Sequence, residues 1–128
     1  FNFYASVFGT TILDGTVRFG DMEGMPPLSD AEKNMILHIE LPIVAGHIIM
    51  ATDSIASMGH SVRLGNNTTI NLEVDSREEA DRIHAALSAG ATEDSGLADM
   101  PWGAYWGTCL DRFGIRWMFN GPAAAPTA

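Results

Sequence analysis

Apolar and polar residues alternate along two stretches of the chain, and this period of two predicts β-strands. In residues 34–41 the odd positions are apolar, whereas His38 and Glu40 lie on the opposite face. Residues 68–75 alternate in the same way. Because successive side chains of a strand point to opposite faces of its sheet, each strand has one face suited to a core and one polar face.

Apolar residues recur every three or four positions in two other stretches, which predicts amphipathic helices. The first is residues 1–8, followed by Gly9, a residue type that commonly ends a helix. The second follows Ser76, which forms with Glu79 the S-x-x-E pattern of a capping box. The apolar stripe of this second helix consists of Ala80, Ile83 and Leu87.

The segment of residues 100–120 contains all three tryptophans and predicts a β-hairpin. Its strands are predicted at residues 104–110 and 115–119. Asp111 and Gly114 suit the turn between them, since Asp favours the first position of a turn and Gly accepts a positive φ. Further strands are expected at residues 10–19 and 47–52 and from residue 91 onward, and a long loop at residues 20–33.

Both halves of the chain follow one order: a helix, a glycine that ends it, and three strands. A strand precedes the helix only in the second half, so we interpret the chain as α+β, with two βαβββ modules and the first strand missing from this chain. The expected organisation is a single domain of residues 1–128. We expect it to consist of a first module 1–53, a linker 54–67, a second module 68–120 and a loose tail 121–128.

Charge and composition narrow the classes of function. The formal net charge is −9, from 16 acidic and 7 basic residues, and such a chain repels nucleic-acid phosphates. The apolar run of residues 41–51 is too short to span a membrane. The single cysteine, Cys109, lies in an apolar strand, which favours a buried, inert thiol and a cytoplasmic location. We therefore expect neither a nucleic-acid nor a membrane partner.

Several segments resemble the vicinal oxygen chelate superfamily, which includes glyoxalase I, bleomycin-resistance proteins and extradiol dioxygenases, and within it the PhnB-like group. The resemblance is carried by residues 3–9, 37–41 and 71–74, by Trp102-Gly103, and by residues 113–120 with the sequence FGIRWMFN. It implies a cupped mixed sheet around a cavity, with helices on the outer faces. It also implies a homodimer.

Within that resemblance, the polar strand faces predict a ligand-binding pocket. The alternative from the pattern alone is that these residues face solvent on an open sheet. The predicted pocket residues are His38, Glu40, Thr69, Asn71, Glu73, Trp102, Arg116 and Met118.

Metal-dependent members of the superfamily hold a divalent ion with His, Glu or Gln side chains, one on each of four strands. Three of those positions align near Met50, Thr69 and Met118, and the fourth lies on the missing strand. Thr is a poor ligand for such ions and the Met thioether is a soft one. We therefore expect no metal site and no other cofactor, and a divalent ion is the less favoured alternative.

Two functions remain open. The first is a PhnB-like protein that binds a small molecule of unknown identity without chemistry. The alternative is an enzyme on a small metabolite, of lyase, isomerase or dioxygenase type, in which His38 and Glu40 act as general base and orienting group with or without metal assistance.

Overall fold

The computed structural model describes residues 1–127. They form two compact units, one of residues 1–5 and 9–63 and the other of residues 6–8 and 64 onward. The described residues contain three α-helices and eight β-strands, which confirms the predicted α+β class. No helix among them is long and apolar enough to cross a membrane.

The predicted N-terminal helix is confirmed as α1, Asn2–Phe8. It ends at Gly9, whose φ of 67° places it in the left-handed region that favours glycine. On this helix the Tyr4 side chain is buried. Its ring lies 5.6 Å from the ring of Phe3, measured between centroids.

The sheet of the first unit has three antiparallel strands in the order β1, β2, β3. The strands are β1 Val17–Arg18, β2 Ile36–Pro42 and β3 Ile48–Ala51. Glu40 of β2 lies opposite Met50 of β3, and the neighbouring Leu41 is fully buried on the other face. Leu41 is the buried residue of β2, whereas residues 36–40 are all partly exposed, so the predicted alternation is not visible as alternating burial.

The strand predicted at residues 10–19 is mostly wrong, because only Val17 and Arg18 are in a strand. Gly15 has a φ of 101°, and this positive value interrupts the extended backbone. The chain still runs beside β2, since the Leu13 N–H donates to the Glu40 carbonyl at 3.0 Å.

The loop predicted at residues 20–33 contains the start of a short helix, α2, Asp30–Asn34. The Ser29 hydroxyl accepts a hydrogen bond from the Glu32 N–H at 3.2 Å, and the Glu32 carboxylate accepts one from the Ser29 N–H at 3.1 Å. This is a reciprocal capping box. The same S-x-x-E pattern that marked the second predicted helix is present here, but no apolar stripe accompanies it.

The second unit contains a strand, a helix and then four strands, one more strand than the predicted module has. Its elements are β4 Ile70–Glu73, α3 Arg77–Leu87, β5 Glu93–Asp94, β6 Ala98–Asp99, β7 Ala104–Leu110 and β8 Arg116–Pro122. The sheet order is β4, β8, β7, β5, and β6 also pairs with β7. Strand β4 runs parallel to β8, and the other pairs are antiparallel.

The strand predicted from residue 91 onward is divided into β5 and β6. Between them the Gly96 backbone approaches β7 closely, and a Cβ atom built on Gly107 would lie only 2.1 Å from the Gly96 carbonyl oxygen. Only glycine fits at residue 107. This close backbone approach coincides with the interruption of the strand.

One face of this second sheet forms the core of its unit. Leu72, Trp117 and Phe119 are at most 1% exposed. The predicted stripe of α3, Ala80, Ile83 and Leu87, is fully buried. Burying side chains of this size stabilises a fold by about 1.5–3 kcal/mol each. The polar face of the sheet is therefore the opposite one.

The start of α3 differs in one detail from the predicted capping box. Ser76 accepts the Glu79 N–H at 3.0 Å as expected. The Glu79 carboxylate, however, accepts the N–H of Asp75 at 3.2 Å instead of that of Ser76. In the predicted loose tail, Gly121 and Pro122 belong to β8, and Ala128 lies outside the described residues.

Candidate functional site

The turn between β7 and β8 is built around the buried side chain of Asp111, which is 1% exposed. One carboxylate oxygen accepts the N–H groups of Phe113 and Ile115 at 2.8 and 3.0 Å. The other accepts the indole N–H of Trp117 at 2.9 Å. Gly114 takes a φ of 83°, as predicted for this turn. Three hydrogen bonds thus fix the register of the hairpin.

That register arranges the polar face of the second sheet in rows across its strands. Glu73 of β4 lies opposite Asn120 of β8, and Asn120 lies opposite Trp106 of β7. In the next row, Asn71 lies opposite Met118. Side chains in such cross-strand positions are neighbours on one face.

Glu73 is held in place by two amide side chains. The Asn120 Nδ2 donates to both Glu73 carboxylate oxygens, at 3.0 and 2.8 Å. The Asn71 Nδ2 donates to one of them at 2.7 Å. Asn71 and Glu73, two of the predicted pocket residues, are therefore connected by a hydrogen bond, and Asn120 is the residue that joins β8 to β4.

Arg116 lies on the same face near the hairpin turn. Its guanidinium forms an ion pair with the Glu93 carboxylate at 2.7 Å. Glu93 lies opposite Leu110, which lies opposite Arg116, so the pair spans β7. The sequence pattern did not identify Glu93, because the predicted strand from residue 91 carried no alternation that assigned it to this face.

Trp102 and Trp106 pack against each other beside this face. Their ring centroids are 6.1 Å apart with an interplanar angle of 72°, an edge-to-face arrangement. Trp102 is 67% exposed and is therefore not part of the core. Trp106 is partly buried in β7. Thr69 precedes β4 and is exposed.

In the first unit, the predicted His38 and Glu40 pair is formed. The His38 Nε2 lies 2.8 Å from the Glu40 Oε1. The two side chains are 43% and 33% exposed, so the pair is half-exposed and not buried. An imidazole and a carboxylate in this contact can exchange a proton with a bound molecule.

An open groove of about 440 Å³ adjoins this pair. It is lined by Leu37, His38, Met50, Ala51 and Thr52. A second cavity of the first unit, about 350 Å³, lies in the segment after β1 and includes Met22, Met25 and Lys33. Met22 and Met25 thus line a cavity of their own loop.

The donor set does not fit a divalent metal ion. Met50, Thr69 and Met118, the aligned positions, supply thioethers and a hydroxyl, which such ions disfavour. Among residues 1–127, no three His, Cys, Asp or Glu side chains group together in a way that could hold a metal ion. Two other histidines serve local structure: His60 accepts the Ile55 N–H, and His84 bonds Asp94.

Cys109 lies on the core face of β7 and is fully buried, as predicted. Burial, assisted by the nearby carboxylates of Asp94 and Asp111, raises the pKa of its thiol to about 11. The thiolate is the reactive form of cysteine. Cys109 is therefore a packing residue and not a nucleophile.

The family of the chain follows from comparison with known proteins. A family model described as the Glyoxalase/Bleomycin resistance protein/Dioxygenase superfamily matches residues 1–119. The chain belongs to this superfamily, which confirms the resemblance found in the sequence. No curated protein matches it.

Solved structures share the fold of this chain. Protein PA1353 from Pseudomonas aeruginosa is 31% identical, with a TM-score of 0.75, and the match covers 94% of this chain and 85% of that one. A PhnB protein from Bacillus cereus, named as a 3-demethylubiquinone-9 3-methyltransferase, is 20% identical with a TM-score of 0.68, covering 94% and 86%. This second likeness shows the fold alone.

A fosfomycin resistance protein from Listeria monocytogenes also shares the fold. It is 16% identical, with a TM-score of 0.58, and the match covers 95% of this chain and 80% of that protein. That structure is a complex with Mn(II) and a dihydroxypropylphosphonic acid. One fold thus carries metal-bound members and, in this chain, a donor set unsuited to a metal.

Proposed function

We propose that this protein is a PhnB-like small-molecule-binding protein whose ligand contacts the polar face of the second sheet. The observation that carries the proposal is the Asn71–Glu73–Asn120 network. It holds hydrogen-bonding groups in fixed positions on a face that the core does not use. Such preorganised polar groups lower the cost of binding a ligand.

Further support comes from the aromatic residues beside the network. Trp106 lies in the same row as Asn120, and Trp102 extends the aromatic surface into solvent. Ligand sites typically combine apolar or aromatic surface with a few fixed polar groups. Arg116 and Met118 complete the proposed contact surface, and Thr69 lies at its edge.

A binding screen tests this proposal. A library of small polar and aromatic compounds is added to the protein, and binding is detected by saturation-transfer NMR. Hits are expected to weaken in Asn120→Ala, which removes the donor between Glu73 and β8, and to persist in Asn34→Ala on α2. Hits that are insensitive to Asn120→Ala would contradict the proposed site.

The second candidate function is an enzyme on a small metabolite, with His38 as general base and Glu40 as its orienting group. The 2.8 Å contact between them favours it. His38→Ala and His38→Gln would then abolish turnover of a bound compound while its dissociation constant stays within about twofold, a difference of about 0.4 kcal/mol. Loss of binding without any turnover in the native protein would exclude this role.

The proposal includes a homodimer in the cytoplasm with no resident metal. A native mass spectrum of protein purified without chelators measures both mass and bound ions. The expected result is a dimer without a divalent ion. A monomer, or one divalent ion per subunit, would contradict this part of the proposal.

A further inference from the structure

Glu73 has no basic side chain as a partner within the part of the chain that the structure describes. No ion pair among residues 1–127 includes it. Its partners are the amide groups of Asn71 and Asn120, which are neutral. They orient the carboxylate without cancelling its charge, so the sheet presents a fixed anion on an exposed face.

An aromatic surface lies in the same row. The cross-strand order is Glu73, Asn120, Trp106, so the carboxylate and the indole are two strands apart, about 10 Å between backbones. Trp102 packs edge-to-face on Trp106. Its side chain is 67% exposed and so presents an aromatic surface to solvent. The distance suits a molecule whose charged group and ring are separated by a short linker.

We propose that this face binds an organic cation, with its ammonium group at Glu73 and its aromatic or apolar body against Trp106 and Trp102. This inference rests on the proposed function and names the class of ligand. A carboxylate and the faces of aromatic rings both attract ammonium groups. The formal net charge of −9 also favours the approach of cations.

The basic group on the same face does not oppose this assignment. Arg116 lies four positions before Asn120 on β8, about 13 Å along the strand. Its guanidinium is already paired with Glu93 at 2.7 Å. It therefore leaves the charge at Glu73 available, and an anionic ligand has no unpaired basic partner in this row.

Three probes of similar size separate charge from aromatic contact: benzyltrimethylammonium, neutral 2-phenylethanol and anionic phenylacetate. Each is titrated into the full chain at low salt, and binding is followed by ligand-observed NMR. The cation is expected to bind about tenfold more tightly than the neutral probe, which equals about 1.4 kcal/mol. Phenylacetate is expected to bind most weakly.

Two variants test the residues. Glu73→Gln keeps the size and one acceptor oxygen of the side chain, and it is expected to abolish the preference for the cation, so that the cation and 2-phenylethanol bind equally. Trp102→Ala is expected to weaken both probes. Glu78→Gln, at an exposed carboxylate on α3, is the matched control and should change neither.

The outcomes distinguish this inference from the proposed function. Equal binding of all three probes, or an undiminished cation preference in Glu73→Gln, would overturn the assignment of an organic cation. The proposed function as a small-molecule-binding protein would still stand. Failure of every probe and every library compound to bind would overturn the proposed function itself.

Discussion

Asp111 shows how one side chain determines the geometry of the proposed site. Its carboxylate accepts two backbone N–H groups and the Trp117 indole while being 1% exposed. The turn that it closes sets the pairing of β7 with β8, and this pairing places Trp106 opposite Asn120. A buried acceptor with three donors is expensive to replace.

Replacing Asp111 with Asn should destabilise the protein by about 1–3 kcal/mol, because one oxygen becomes an N–H₂ group facing a donor. The measurement is the urea midpoint of unfolding, followed by tryptophan fluorescence. Asp14→Asn, at an exposed aspartate, is the control and should have no measurable effect. An unchanged midpoint for Asp111→Asn would show that these hydrogen bonds contribute nothing.

The thiol of Cys109 should be unreactive in the folded protein. Full burial and a pKa of about 11 leave almost no accessible thiolate at pH 8. Reaction with a chromogenic disulfide is expected to be at least about a hundredfold slower in buffer than in denaturant, because the raised pKa and the burial of the thiol both slow the reaction. Comparable rates in both conditions would contradict the buried position.

At the level of elements, the sequence predicted best where alternation and turn chemistry coincide. The β7 boundaries and the stripe of α3 were predicted residue by residue. The strand at residues 10–19 was not, since the pattern cannot show that Gly15 takes a positive φ. The helix α2 was missed because its only signal is a capping box without an apolar face.

The interruption between β5 and β6 was also beyond the sequence pattern. It accompanies the close approach of the Gly96 carbonyl to Gly107, a contact between residues distant in sequence. The Glu73 network could be predicted only in part. The alternation of polar and apolar residues placed Glu73 and Asn71 on one face. The partner on β8 depends on a parallel pairing that no local pattern encodes.

Gly107→Ala tests that close approach. The added methyl group would lie 2.1 Å from a backbone oxygen, so β7 or residue 96 must move. Overpacking of this kind is expected to cost about 1–3 kcal/mol. Gly65→Ala, where the nearest atom is a side-chain oxygen at 3.3 Å, is the control for thermal unfolding measurements. Equal melting temperatures for both variants would contradict the packing described.

The contact between His84 of α3 and Asp94 of β5 should make the free energy of unfolding depend on pH in the acid range. Partial burial raises the pKa of Asp94, but the Gly96 N–H and His84 outweigh it, so the pKa lies below its ordinary value of 3.8. A lowered carboxyl pKa contributes stability above pH 4 that is lost as the pH falls through the folded-state pKa.

Asp94→Asn should therefore reduce stability at pH 7 and flatten its decrease below pH 4. Unfolding in urea between pH 2.5 and 7 measures both effects, with Asp75→Asn on the surface as control. An acid limb as steep in Asp94→Asn as in the native protein would contradict this linkage.

At the level of the whole molecule, the superfamily fold is shared by proteins that differ in chemistry, so the activity must be inferred from the site. The aligned positions carry thioether and hydroxyl groups, and the second sheet carries a fixed carboxylate beside two indoles. Sequence alternation identified the polar faces. It could not show which carboxylate is neutralised and which is left without a basic partner.

The most direct test of the proposed function is an amide NMR titration with the tightest-binding compound of the screen. Assigned backbone shifts of the ¹⁵N-labelled protein report where the compound binds. The expected changes cluster at residues 71–73, 104–108 and 116–120, together with the indole N–H of Trp102. Changes confined to other residues, with these signals unmoved, would contradict a binding site on the second sheet.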